Sequence, residues 1–343
     1  MSSPSADGFA AAALFGCRGL ALSAEEKAFF AETRPFGFIL FARNVESPDQ
    51  VRALVAEMRA AVGRADAPVL IDQEGGRVQR LRPPHWRAAP AAAEIAAIGA
   101  RAGHAAYLNA RLIGRELAAL GVTVDCAPVL DVSRPETHAV IGDRAYDSDP
   151  ARVAMFGRAV CDGLRAEGVH PVIKHIPGHG RARADSHLEL PRVPASYEEL
   201  EALDFAPFKA LAGEDWAMTA HIVYDAVDPE APATCSQAMI GGVIRDAIGF
   251  TGLLMSDDLS MKALDGDFGD RTRAALDAGC DMVLHCNGEI AEMRAVAAAL
   301  QPLSPAAWAR FRTAEVRRAR ARLSAEPVAT ADLLAQFDAL MSG

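Results

Sequence analysis

Pro150-Ala-Arg-Val-Ala-Met-Phe-Gly-Arg-Ala-Val-Cys-Asp-Gly-Leu-Arg-Ala-Glu-Gly-Val-His-Pro-Val-Ile-Lys174 holds the fold in miniature. From Pro150 to Glu167 the apolar residues recur at helical spacing with charges on the remaining face. Pro171 to Lys174 is then a short apolar run that stops on a charge. The same alternation extends in both directions without a linker. Short β-rich runs stand at Ala10–Phe15, Gly37–Phe41, Pro68–Ile71, Val122–Val129, Pro171–Lys174, Ala217–Ala220, Leu253–Ser256 and Met282–Cys286. Helical patterns lie between them at Pro48–Val62, Glu94–Leu120, Pro150–Glu167, Tyr197–Leu211, Gln237–Ile248 and Arg271–Ala278. Strands alternating with helices indicate βαβ units around a parallel sheet, and eight strands suit ring closure. The expectation is an α/β fold, a single (β/α)8 barrel of the TIM type with extra C-terminal helices. One domain is expected over residues 1–343, with the barrel core at about 8–300 and the closing helices at about 304–342. A doubly wound open sheet is the competitor. It usually has fewer strands, and the chain lacks both GxGxxG and GxxxxGK[ST] nucleotide loops.

Composition narrows the function classes. The chain has 343 residues, 51% hydrophobic and 23% charged, with a net charge of -10. Such a chain builds a large core and has no general attraction for nucleic acid or anionic membrane. Residues 1–7 carry no Lys or Arg ahead of the apolar run Phe9–Cys17, so a signal peptide is not expected, and no stretch reaches membrane-spanning length. Localisation in the cytoplasm, a monomer and a small-molecule partner follow as expectations. The six cysteines are scattered without CxxC, as suits reduced buried thiols. The closing helix Ala306–Leu323 contains six arginines, but Trp308, Phe311, Val316 and Leu323 form an apolar stripe, so a solvated face on a docked helix is expected.

In a parallel barrel, chemistry sits where strands end and βα-loops begin. The polar residues at those positions are Arg43 and Asn44, Asp72 with Glu74 and Arg77, Asp131, Lys174 and His175, His221, Asp257 with Asp258, and Asn287. Any one of them could be a strand reaching solvent; seven such ends on one rim suggest a site. Lys174-His-Ile-Pro-Gly-His-Gly180 cannot be helical, so His175 and His179 are not a metal-binding helical pair. A zinc site through His175, His221 and Asp257 lacks any HExxH or HxH signature; no metal and no cofactor are expected. Lys174 and His175 suit hydrogen bonding to a polyhydroxylated substrate, or a salt bridge within the barrel mouth.

Asp185 and His187 stand two apart on a loop. The carboxylate can accept from one imidazole nitrogen, leaving the other to give a proton and take it back; the alternative is a surface loop with incidental Asp and His. Two glycines, Gly178 and Gly180, would let that loop move to deliver His187. In Ser256-Asp-Asp-Leu-Ser-Met261 the acidic pair could bind metal, cap a helix, or set one functional carboxylate beside a structural one. Asp257, nearer the strand end, is the better placed to enter the mouth.

Five motifs in order then carry a resemblance: Ile71-Asp-Gln-Glu-Gly-Gly-Arg-Val-Gln-Arg80, Ile141-Gly-Asp-Arg-Ala-Tyr146, Lys174-His-Ile-Pro-Gly-His-Gly180, Asp185-Ser-His187 and Ser256-Asp-Asp-Leu-Ser-Met261. The chain resembles glycoside hydrolase family 3, and within it the single-domain bacterial β-N-acetylglucosaminidases of cell-wall recycling, from about Gly37 to Asn287. That resemblance implies a retaining hydrolase in which Asp257 attacks the anomeric carbon and His187, assisted by Asp185, protonates the leaving oxygen and then activates water. It implies that Asp72, Arg77, Arg144, Lys174 and His175 hold the sugar hydroxyls and N-acetyl group, with His221 and Met261 lining the pocket. The substrate implied is N-acetylglucosamine linked to 1,6-anhydro-N-acetylmuramic acid, with or without a peptide stem. Ile176 departs from the aromatic residue common between the motif's His and Pro. A phosphorylase and a non-catalytic muropeptide sensor are the rival readings. Sugar 1-phosphate formed from inorganic phosphate would mark the first, and cell-wall turnover indifferent to Asp257→Ala the second.

Overall fold

The computed structural model describes residues 10–182 and 189–342. Nine parallel strands form one sheet: Ala11–Phe15, Pro35–Leu40, Val69–Ile71, Val124–Asp125, His170–Pro171, Ile173–Ile176, Trp216–Thr219, Leu253–Asp258 and Met282–His285. Each pairs with its neighbour in sequence except His170–Pro171 with Ile173–Ile176, and Ala11–Phe15 pairs with Met282–His285 through Ala13↔Val283, Leu14↔Leu284 and Phe15↔His285. The two ends of the sheet are His170–Pro171 and Ile173–Ile176, separated in the chain by Val172 alone. The sheet therefore curls into a nearly closed barrel whose seam runs through one stretch of chain.

Side chains alternate across this sheet. Ala12, Leu14, Phe36, Ile39, Leu70, Val124, Cys126, Val172, Trp216, Met218, Leu253, Met255, Met282 and Leu284 fill the interior. Ala13, Phe15, Phe38, Leu40, Val69, Ile71, Ile173, Ala217, Leu254 and Val283 pack outward in the helical layer. Both faces are buried, which is why the strands read as continuous apolar runs. The helices begin where the sequence supplies caps: Ser47 before Pro48–Val62, Asp149 before Pro150–Ala166, and Ser304 before Pro305–Ser324, each followed by proline in the first turn.

Several boundaries differ from the sequence reading. The strand expected over Val122–Val129 is a ladder only at Val124–Asp125, because Pro128 offers no N–H; Pro128 O and Leu130 N still bond to Lys174. The helix expected over Glu94–Leu120 breaks at Gly99, whose φ of 79° is left-handed, and the long helix is Ala102–Leu120. Gln237–Ile248 winds with π-type spacing over Ala238–Ala247, across the Gly241-Gly242 pair. Two short pairings, Gln73–Gly75 with Val78–Gln79 and Arg192–Val193 with Val223–Tyr224, were not anticipated.

Helices Pro305–Ser324 and Thr330–Ser342 follow the barrel. Leu303, Ala307 and Phe311 join the barrel interior at the N-terminal end of the strands, where Phe311 meets Phe36 edge-on at 4.9 Å. The expected apolar stripe on this helix is only half right. Val316 and Leu323 are exposed, and the docked face is Ala307, Phe311 and Ala314. Arg310 and Arg317 are paired with Asp281 and Asp215, and Arg318 with Glu315. All six cysteines are unbridged, five of them buried. Among the described residues no helix is long and apolar enough to cross a membrane.

Candidate active site

Parallel strands deliver their C-terminal ends to one side of the barrel, and there a cavity of about 200 Å³ opens. Eight residues singled out from the sequence line it: Asp72, Arg77, Arg144, Lys174, His175, Asp257, Asp258 and Met261. Phe41, Arg80, Val140 and Cys286 complete much of the wall. His221 does not line it. Asp185 and His187 lie outside the described residues.

The floor is a string of alternating charges. Arg80 Nη2 donates to Asp72 Oδ2 at 2.9 Å, and Lys174 Nζ donates to Asp72 Oδ1 at 3.0 Å. The same ammonium lies 2.7 Å from Glu74 Oε1, and Arg144 grips Glu74 with two parallel bonds of 2.8 and 2.9 Å. Burial would raise the Asp72 carboxyl, but the Lys174 and Arg80 cations hold it well below the usual carboxylate range. Glu74 is likewise brought down to about 2, burial being outweighed by Arg144 and Lys174. Burial opposes the Lys174 ammonium, yet Asp72 and Glu74 push its pKa above the ordinary lysine value. Asp72, Glu74 and Lys174 therefore stay ionised. Arg80 also stacks over Phe41, 5.2 Å from the ring centroid, and so turns that ring into part of the wall.

Arg77 reaches the rim but commits its guanidinium to the next loop, bonding Asp143 Oδ1 at 2.8 Å and the carbonyls of Ala139, Val140 and Ile141. That clamp brings Val140 and Arg144 over the cavity.

The acidic pair ends the strand Leu253–Asp258, two residues further than the sequence suggested. Its two members differ. Asp258 spends both oxygens on structure, accepting from Ser260 N, Cys286 N and Ser260 Oγ. Asp257 accepts the Asp258 N–H at 2.8 Å, and both residues line the cavity. His221 supports this strand end from behind. Its Nε2 faces the Asp258 carbonyl at 3.1 Å and must donate, so Nδ1 accepts from Thr234 Oγ1 at 2.7 Å. Burial lowers its pKa, though the Asp257 carboxylate works against that, and the ring is a strut rather than a wall of the cavity.

Other strand-end residues prove structural. Arg43 bonds the carbonyls of Cys17 and Cys286; Asn44 is fully buried on Cys17 O and Gly19 O; Asn287 pairs with Glu292. Residues 177–182 are tied rather than loose. Tyr224 donates to Gly178 O, Thr137 to Gly180 O, and Arg181 pairs with Asp204, while Gly180 packs so closely on Val132 that a Cβ there would lie 1.9 Å from its carbonyl oxygen. These contacts anchor the described part of the loop, and the expected delivery of His187 falls on residues outside it. Arg80 is the residue to add to the site, and Glu74, collected at the strand end without a role, joins it; the motif that contains Asp72 also contains both. No group of three His, Cys, Asp or Glu side chains is placed to hold a metal among the described residues.

A cavity at the C-terminal mouth of a parallel barrel, lined by carboxylates and cations, is where such a fold holds a small polar substrate. The chain belongs to glycosyl hydrolase family 3: residues 12–321 match the family description "Glycosyl hydrolase family 3 N terminal domain". A Beta-hexosaminidase of Alkalilimnicola ehrlichii is 44% identical over 282 residues, covering 80% of each chain. One of Pseudomonas aeruginosa is 42% identical over 285 residues, 82% of this chain and 83% of that one. Among solved structures, a glycoside hydrolase family 3 beta-N-acetylglucosaminidase from Paenibacillus superposes with a TM-score of 0.84 at 30% identity, over 96% of this chain and 67% of its own. NagZ from Neisseria gonorrhoeae in complex with N-trifluoroacetyl-D-glucosamine gives 0.83 at 31% identity over 97% of both.

Proposed function

We propose that this family 3 hydrolase is a β-N-acetylhexosaminidase that removes terminal N-acetylglucosamine with retention through a covalent intermediate on Asp257. The observation that carries the reading is the seventh βα junction, where Asp257 and Asp258 both line the cavity with Asp72, Lys174 and Arg144, and Asp258 accepts from Ser260 and from Cys286 N with both of its oxygens. The names of the relatives point the same way.

In the proposed reaction an Asp257 oxygen bonds to the anomeric carbon as the glycosidic bond breaks, and the bond's electron pair goes to the leaving oxygen. The imidazolium of His187, oriented by Asp185, gives that oxygen its proton. Water then attacks the anomeric carbon from the vacated side, returning a proton to His187 and freeing Asp257. A His–Asp pair thus replaces the second carboxylate usual in retaining enzymes. Lys174, Arg144, Asp72 and His175 hold the sugar, with Arg77, His221 and Met261 supporting from the rim, from behind and from the wall. The similarity to NagZ supports N-acetylglucosaminyl-1,6-anhydro-N-acetylmuramic acid fragments of cell-wall recycling as the substrate, and with them a monomeric enzyme of the cytoplasm. The platform we read as a (β/α)8 barrel, His170–Ile176 being one strand interrupted at Val172.

Trapping with a 2-fluoro glycosyl fluoride followed by peptide mass mapping tests the assignment. The sugar is expected on Asp257. A label on Asp258, or turnover to sugar 1-phosphate in the presence of inorganic phosphate, would overturn it.

A further inference from the structure

Asp131 stood among the strand-end residues of the sequence but received no part in the reaction. Its carboxylate is fully buried and divides its oxygens unequally. Oδ1 accepts two backbone N–H groups, from His179 at 2.7 Å and from His175 at 3.2 Å. Oδ2 faces the imidazole of His175, 2.7 Å from Nδ1. Burial alone would raise this carboxyl, but the His175 ring beside it brings it down to about 2. An ionised carboxylate only accepts, so the hydrogen between Oδ2 and Nδ1 belongs to the ring. In the neutral ring Nε2, on the opposite edge, is then the nitrogen with the lone pair, and the residue lines the cavity.

Lys174, the preceding residue, lines the same cavity with a group of opposite character. An ammonium has three N–H groups and no acceptor; two of them point to Asp72 and Glu74. A sugar hydroxyl can accept from the third and at the same time donate its own proton to an acceptor. Two consecutive residues thus offer a donor and an acceptor side by side.

We propose that Asp131 is the positioning residue that fixes His175 as an acceptor, so that Lys174 and His175 together hold one sugar hydroxyl by its oxygen and by its proton. The ligand in this statement rests on the glycosidase reading; the placement of the ring proton does not. A purely structural Asp131 would need only the two backbone bonds at Oδ1, which anchor the His175–His179 turn. The bond at Oδ2 is what adds control of the ring.

Asp131→Asn separates the two roles. Two backbone N–H groups face the Oδ1 position, so the amide must put its carbonyl there and its NH2 against His175 Nδ1. The turn keeps its anchors, while the ring is forced to carry its proton on Nε2 and becomes a donor. The experiment is 15N NMR of histidine-labelled protein at a pH where the ring is neutral, with the His175 signal assigned through His175→Gln, alongside steady-state hydrolysis of an aryl N-acetyl-β-glucosaminide. Expected are a protonated Nδ1 in the wild type, its inversion in Asp131→Asn, and a kcat/KM about 10- to 100-fold lower, most of it in KM because the hydroxyl is held before and during bond breaking. If Asp131→Asn does not fold, the wild-type spectrum still decides. A proton on Nε2 of wild-type His175 overturns the proposal, as does an inverted ring with unchanged kinetics. The expected ring state in a wild type that cleaves no N-acetylglucosaminide supports the positioning role and overturns the glycosidase reading instead.

Discussion

Replacing Glu74 by Gln keeps the volume of the side chain but removes the charge between Lys174 and Arg144. The magnitude follows from the carboxyl's own displacement. The site brings it from 4.5 to about 2, which corresponds to about 3 kcal/mol of preferential binding of the anion in the folded state. Its side chain is 10% exposed, so solvent screening removes little of this. The amide oxygen can retain one of the hydrogen bonds, and a loss of roughly 2–3 kcal/mol is therefore expected near pH 7. A lowered folded-state value makes the contribution complete above the ordinary carboxyl range and drains it as pH falls from about 4.5 toward 2. Urea unfolding of wild type and Glu74→Gln, from near neutrality down to about pH 3, reads the gap directly. The two curves should converge on acidification. A gap that stays constant with pH, or one below about 0.5 kcal/mol near pH 7, would refute the argument that Glu74 is held as an anion by its neighbours.

Two further perturbations test the scaffold. Gly180→Ala places a methyl 1.9 Å from the Val132 carbonyl oxygen, a backbone atom with little room to retreat, and should cost roughly 1–3 kcal/mol; Gly213→Ala, where an added methyl meets nothing within 4 Å, should stay within about 0.5 kcal/mol. Equal melting temperatures for the two variants would contradict the packing described. Glu315→Ala removes the partner of buried His170 Nε2, 2.7 Å away, and of Arg318, and should lower stability by roughly 1–3 kcal/mol, measured by thermal unfolding against the exposed control Arg312→Ala. A loss no larger than the control's would show that the last barrel-packing helix does not depend on that pair.

The parts of the fold written in side chains were readable, and those set by backbone partners were not. Ile39, Leu70 and Leu254 mark strands because both faces of the sheet are covered, whereas nothing in Val122–Val129 except Pro128 announces where the ladder stops. The same burial hid the direction of polar residues. With no polar face to alternate against, Asp72 and Asp257, which line the cavity, read no differently from His221, which lies behind it, or from Asn44, which ties two loops. The Arg80–Asp72 and Arg144–Glu74 pairs depend on a tight two-stranded turn at Gln73–Gln79 and on the path of the 139–144 loop, and periodicity carries no information about either. Asp131 is the instructive case. Its place at a strand end was visible, but its effect depends on which of its oxygens meets the backbone and which meets a ring.

The near-closure of the sheet has a bearing on how copies of the chain meet. Most sheets end in a row of unsatisfied N–H and C=O groups that a strand from another molecule can extend, a common route to fibrils. Here the first and last positions of the sheet are consecutive pieces of a single stretch, joined at Val172, whose own N–H is shared between the carbonyls of Asp125 and Ala127. The main sheet of the folded chain thus presents no long template for strand addition, and association of native molecules has to be written in side chains.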